Sequence, residues 1–382
     1  MRVMSALTTG FLALSLGFLS PASVRAQDGP GPVPGQGFAS AAAQDLVVEA
    51  GTAQSRSMLR AYQDWVARWR IPNATLVIMA GDRVLERAEY GSYRVNQPVP
   101  LASLSKAVTA MCIARLVDDG LLSFTTPLSQ PLRWYLRSEP PADSRVRAIT
   151  IAQLLTHSSG ITNDVTQGRF PPDAVFSRAS GRETARAALA VPLGTAPGTA
   201  YYYNNINYLL LGMVIESVTG QSYLTACRER VLAPVGITRA GFDPAWRIMW
   251  SFGGWRMSVR DYARFLVYYD PARSPIRTPQ NQWPLFSLGG GAFYTLGAAM
   301  RLAAPQTNFY HSGSWQWQSG TTITSYSSRF VTMGTALRYV TAEAPRVSDE
   351  ARMDLDRVMW TALYPNAAPL SEALPPEPAE AP

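Results

Sequence analysis

Ser103-Leu104-Ser105-Lys106 places a hydroxyl and an amine three residues apart at the start of a helical run. Side chains at that spacing share one face of a helix, so the two groups come within hydrogen-bonding reach. A serine hydroxyl is a weak nucleophile and needs a neighbouring base. A lysine amine in a partly dry, electropositive pocket can lose its proton near neutral pH, whereas arginine stays charged. The 382 residues include 34 Lys plus Arg, and Lys106 is the one lysine among them. It stands where arginine could not take part in proton transfer.

Two further clusters carry compatible chemistry. In Pro197-Gly198-Thr199-Ala200-Tyr201-Tyr202-Tyr203-Asn204-Asn205 a loop runs into an apolar helical stretch. A phenol held near cations can relay a proton, and an amide beside it can orient a carbonyl or an amine. Taken alone, the stretch also reads as a surface aromatic loop. His311-Ser312-Gly313-Ser314 precedes Trp315. Gly313 would let a substrate approach a strand edge, and the next backbone N–H could donate to an oxyanion. Taken alone, it also reads as a polar turn between strands.

Composition excludes other classes. Two histidines, His157 and His311, and two cysteines, Cys112 and Cys227, are too far apart in sequence to offer a ligand pair at metal spacing, so neither metal nor cofactor is expected. The net charge of +7 comes from scattered arginines with no basic run, so nucleic acid is not an expected partner. At 47% hydrophobic residues the chain can bury a substantial core. Both cysteines lie in helix-like contexts, so two buried free thiols are expected rather than a disulfide.

The elements that must position these clusters can be read from periodicity. Helical patterns cover 48–70, 107–119, 151–155, 182–190, 208–218, 222–231, 259–269 and 348–363. Strand patterns cover 75–80 and 84–90, joined by a turn at Gly81-Asp82, and later 292–302, 321–327 and 330–339. Sheet at both ends with helices between predicts an α/β (α+β) fold. Its antiparallel sheet is flanked by helices, and a mostly helical lobe is inserted at about 101–254. A cleft at that junction is a common place for a site.

Residues 1–26 read as a leader, with Arg2, an apolar run from Thr9 to Leu19, and Val24 and Ala26 at a cleavage site. A periplasmic or secreted protein is expected, with no transmembrane segment after cleavage. Residues 27–47 read as a flexible lead-in, 48–365 as the folded domain, and 366–382 as a disordered tail.

Together the clusters resemble the penicillin-recognising serine hydrolases, specifically the class C β-lactamase-like family. Its hallmarks are Ser-x-x-Lys, Tyr-x-Asn and a Lys/His-x-Gly triplet, in that order. Thr150–Ile161 resembles the family's LLTHTSG segment, and Gly253–Tyr262 its GGL-S-T--DLARF segment. The likeness extends over about 50–360. It implies Ser103 as the acylated nucleophile, with Lys106 and Tyr203 sharing proton transfer. Asn205 would bind the acyl side chain, and His311 would sit at the triplet's cationic position. Ser312, Gly313, Ser314 and Trp315 would border the substrate, with the oxyanion held by the N–H groups of Ser103 and Ser314. Tyr202-x-Asn204 is a second possible register for the tyrosine motif. His157 is expected to make a turn or lobe contact.

Three departures stand out. His311 replaces the lysine usual in true class C β-lactamases, Asn207 replaces a common glycine, and Trp315-Gln316-Trp317-Gln318 replaces a small stretch. Trp315 and Trp317 lining the cleft would narrow the acyl pocket and make it apolar. Trp246, Trp250 and Trp255 are expected to be core. The implied activity is cleavage of D-amino-acyl peptides or esters through an acyl-enzyme on Ser103. A true β-lactamase is one alternative, and a non-catalytic penicillin-binding scaffold is another.

Overall fold

The computed structural model describes residues 51–166, 181–242, 250–303, 306–319, 322–333 and 337–366. The expected leader and lead-in, the first three residues of the expected domain and the tail beyond Asn366 therefore lie outside the described residues. Helix α1 (Ala53–Trp69) starts where the Thr52 hydroxyl accepts from the Ser55 N–H. Strands β1 (Asn73–Ala80) and β2 (Arg83–Tyr90) form the expected hairpin. After β3 (Pro98–Pro100) come α2 (Ser105–Asp118), α3 (Arg133–Ser138), α4 (Ile151–Leu155), α5 (Gly181–Ala188), α6 (Asn205–Thr219) and α7 (Tyr223–Cys227). The chain then passes through β4 (Gly241–Phe242), β5 (Trp255–Ser258) and α8 (Val259–Phe265). It returns to strands with β6 (Phe286–Gly289), β7 (Ala292–Tyr294), β8 (Ala299–Ala303), β9 (Gln306–Ser319), β10 (Thr322–Met333) and β11 (Leu337–Ala344), and ends in α9 (Asp349–Leu363).

One antiparallel sheet runs in the order β2-β1-β11-β10-β9-β8-β7-β6. The C-terminal strands thus complete a sheet begun by the N-terminal hairpin, as expected. Successive side chains of β1 enter different cores because strand residues alternate between faces. Leu76 and Ile78 pack with Tyr62, Trp65, Leu355 and Met359 of α1 and α9. Val77 and Met79 join the larger core that holds α2, α6 and α8. The continuous apolar run of β1 follows from its burial on both sides. Helices α1 and α9 are tied by Trp65 Nε1 donating to the Ala351 carbonyl at 2.8 Å and by Arg68 on Asp354.

The later strands differ from the expected boundaries. The stretch 292–302 is two strands, β7 and β8, turning at Gly297 with φ +71°. The polar segment 306–319 is the long strand β9 rather than a turn. The short sheet β3-β5-β4 was not legible in the pattern. Cys112 and Cys227 are free and buried, as expected. Trp255 is fully buried, and its Nε1 donates to the Tyr223 hydroxyl at 2.9 Å. Trp246 lies outside the described residues. No described helix is long and apolar enough to cross a membrane.

Candidate active site

Ser103 lies on a short 3₁₀ turn, Ala102–Leu104, that leads directly into α2. Ala102 has φ +45°, a left-handed conformation that costs a non-glycine residue about 1–2 kcal/mol. The turn is held from several sides. Leu101 N–H donates to the Trp255 carbonyl at 2.9 Å, and Ser328 Oγ donates to the Leu101 carbonyl at 3.2 Å. The Tyr262 hydroxyl donates to the Leu104 carbonyl at 2.9 Å.

Lys106, one helical step on, is fully buried. Its Nζ lies 3.0 Å from Ser103 Oγ, 2.7 Å from Asn205 Oδ1 and 3.1 Å from the Phe252 carbonyl. The last two partners can only accept. A neutral amine that donates to both keeps its lone pair for the Ser103 hydroxyl. The Tyr203 ring centroid is 4.7 Å from the same Nζ. Of the two registers of the tyrosine motif, Tyr203 and Asn205 are the pair beside Lys106. Tyr202 is 41% exposed, and Asn204 caps α6 by accepting from the Ile206 N–H at 2.8 Å.

His157 has a larger part than a turn contact. It is fully buried with φ +55°. Its carbonyl accepts from Tyr202 N–H at 2.8 Å, and its Nδ1 accepts from Asn204 N–H at 3.2 Å and from Asn207 Nδ2 at 3.1 Å. Its ring centroid lies 4.4 Å from that of Tyr203. The segment from Thr156 to Ile161 is thus the template on which the Tyr203 loop is laid. Asn207, the departure from glycine, is fully buried and completes that template by accepting from Ser159 Oγ at 2.5 Å. Burial first, and then the nearness of Lys106 and His311 in their cationic forms, pulls the His157 imidazole well below its usual value of 6.5, so it is neutral at neutral pH.

β9 brings the third cluster to the Ser103 turn and Tyr203. His311, Gly313 and Trp315 share one face of it, toward α2. His311 Nδ1 donates to the Ser312 carbonyl at 2.6 Å, and in the neutral ring Nε2 accepts from the Tyr294 hydroxyl at 3.1 Å. Its ring centroid is 6.1 Å from that of Tyr203. Gly313 abuts the Ser103 turn, and Ser314 pairs with Ser327 of β10. Trp315 is half-buried and packs against the larger core. The Ser312 hydroxyl, expected to border substrate, is turned to the opposite face because strand side chains alternate. There it accepts from Arg329, which is paired with Asp356 of α9. The side chain of Trp317 lies outside the described ones.

Sequence reasoning missed four neighbours. Tyr294 meets both histidines, with ring centroids 4.8 Å from His157 and 5.9 Å from His311. Gly297 lets the β7–β8 turn touch α2, because a Cβ there would fall 2.6 Å from the Lys106 carbonyl oxygen. Asp164 and Thr166 hold Asn205 from the helical side. None carries a local pattern; the positive φ of Gly297 is the one property a glycine in sequence could have hinted at.

The family described as Beta-lactamase matches residues 56–333. The curated protein flp of Staphylococcus aureus (strain COL) is 30% identical over 181 residues, which cover 45% of this chain and 35% of that protein. The chain thus matches about a third of that relative's length. A Beta-lactamase/D-alanine carboxypeptidase structure from Yersinia pestis superposes with a TM-score of 0.64 at 16% identity, covering 81% of this chain and 98% of that one. A D-amino acid amidase structure from Ochrobactrum anthropi gives 0.62 at 18%, covering 82% and 99%. These two likenesses concern the fold. The match over most of the folded chain carries the family, and the protein belongs to the β-lactamase family of hydrolases.

Proposed function

We propose that the protein is an exported serine hydrolase that cleaves amide or ester bonds of D-amino-acyl substrates through an acyl-enzyme on Ser103. The observation that carries this reading is the 3.0 Å contact between Lys106 Nζ and Ser103 Oγ, made while acceptors occupy two other positions around the amine. In the proposed reaction Ser103 Oγ attacks the substrate carbonyl, and its proton passes to the Lys106–Tyr203 pair. The N–H groups of Ser103 and Ser314 receive the oxyanion. Collapse expels the amine or alcohol, which takes the proton back. Water then releases the acid by the same route in reverse. Asn205 holds Lys106 through Oδ1 and hydrogen-bonds the acyl side chain of the substrate.

The substrate class is supported by the triplet's histidine and by the names of similar folds, a D-amino acid amidase and a D-alanine carboxypeptidase. The test is intact-mass spectrometry after mixing the protein with a penicillin and, separately, with a p-nitrophenyl ester and a D-amino-acyl amide. Turnover of the ester and amide with a slowly released penicilloyl adduct on Ser103 is expected. Fast penicillin turnover would make it a β-lactamase instead. Absence of both adduct and turnover would favour a non-catalytic scaffold. Ser103→Ala should abolish labelling and turnover.

A further inference from the structure

Asn205 is gripped at both ends of its amide. Its Oδ1 accepts from Lys106 Nζ at 2.7 Å, and its Nδ2 donates to Thr166 Oγ1 at 2.9 Å. Thr166 Oγ1 donates to Asp164 Oδ1 at 2.6 Å. The main-chain N–H groups of Thr166 and Asn205 donate to Asp164 at 2.9 and 2.8 Å. The directions along this chain are dictated from one end. A carboxylate only accepts, so the single hydroxyl proton of Thr166 is committed to Asp164. Thr166 can then meet Asn205 only as an acceptor, which draws the NH₂ end of the amide to itself. The carbonyl end is left facing Lys106.

We propose that Asp164, acting through Thr166, fixes which end of the Asn205 amide meets Lys106 and thereby sets the proton affinity of Lys106. A hydrogen bond to the charged form of a group favours that form. An amide oxygen therefore favours the ammonium, and a reversed amide would press N–H protons against it. The carboxylate polarises the two links between it and the amine, strengthening each. Other groups that face Lys106 include Ser103 Oγ, the Phe252 carbonyl, and the rings of Tyr203, Tyr208 and Phe252 at 4.7, 5.9 and 5.8 Å. The imidazoles of His157 and His311 lie close enough to act on the same pocket electrostatically. The carboxylate of Asp164 reaches the amine through Thr166 and Asn205. Asp164 and Thr166 are positioning residues, since they act through Asn205.

The single lysine makes the test direct. Protein labelled with ¹³C/¹⁵N-lysine gives one side-chain resonance set, and a pH titration of it reads Lys106 without any substrate. Asp164→Asn and Thr166→Val should lower the Lys106 midpoint by about one pH unit. Thr166→Ser, which keeps the hydroxyl, should titrate like the wild type. The kinetic arm rests on the proposed function. There the acid limb of kcat/KM should move down with the Lys106 midpoint, and kcat should fall about tenfold. An unmoved Lys106 titration in Asp164→Asn and Thr166→Val overturns the proposal. So does a Thr166→Ser midpoint displaced as far as that of Thr166→Val. Displaced titrations in a protein that never acylates Ser103 would leave this proposal standing and remove the functional reading.

Discussion

A Cβ added to Gly313 would lie 2.2 Å from the main-chain oxygen of Leu101, two residues before Ser103. The same added atom would lie 3.2 Å from the Ser103 nitrogen. Strand β9 is therefore seated directly on the turn that carries Ser103. Gly313 is not left-handed, so Gly313→Ala tests this approach sterically. Overpacking of this kind costs about 1–3 kcal/mol. The variant should melt at lower temperature and acylate more slowly, because relieving the clash shifts the turn that carries Ser103. Wild-type melting and acylation would show that the two segments do not meet so closely.

The His157 imidazole supplies an acceptor and a ring, and two variants separate them. Asparagine tolerates φ above zero and can present Oδ1 to the Asn204 and Asn207 N–H groups. Phenylalanine keeps a ring beside Tyr203 and leaves those donors unpaired. His157→Phe should lose about 1–3 kcal/mol of stability. His157→Asn should stay nearer the wild type in melting and lose activity through a looser Tyr203. If both variants melt alike, the acceptor role is wrong.

His157 also predicts a pH dependence. Its folded value is depressed, so below about 6.5 the unfolded chain takes up a proton that the native chain refuses. Stability is lost as pH falls through that value. Thermal melts between pH 7.5 and 5 should show this loss in the wild type and less of it in His157→Asn. Equal slopes would refute it.

Glu343 on β11 works in the opposite sense. Burial raises its carboxyl from 4.5 to about 7, although Ser327 Oγ donates to it at 3.0 Å. Between those values the unfolded chain ionises while the native group holds its proton, so stability falls as pH rises. Glu343→Gln removes the penalty. The variant should gain about 3 kcal/mol relative to wild type at pH 8 and little at pH 4.5. Melts at the two pH values check the difference; a gain of equal size at both would sink the assignment.

Trp315 shares the face of β9 that carries His311 and Gly313, and it is half-buried. As a wall of the acyl pocket it should exclude bulky acyl groups. Trp315→Ala should raise kcat/KM for large acyl substrates relative to small ones. Unchanged kinetics across a size series would remove it from the pocket.

Ser103 and Lys106 were legible because their relation is local: helical periodicity alone brings positions three apart together. The Tyr203–Asn205 loop and the His311 triplet could be named as motifs, and the order of strands and helices implied one sheet closed by the C-terminal strands. The strand bearing His311 was hidden, because both faces of β9 carry polar work. One meets the Ser103 turn through Gly313, and the other engages Arg329 and Asp356 through Ser312. Alternation of apolar and polar residues therefore never appears there. Of the two tyrosine registers, the structure sets Tyr203 and Asn205 beside Lys106, while Tyr202 is exposed and Asn204 caps α6.

By itself the sequence determined the reactive types and their helical spacing, including the lone lysine beside a serine. Tertiary structure alone decided what orients them. Asp164 reaches Asn205 across 41 residues and His157 reaches Asn204 across 47. Such contacts depend on how α4, α6 and the connecting loops pack, and packing joins residues with no local pattern between them.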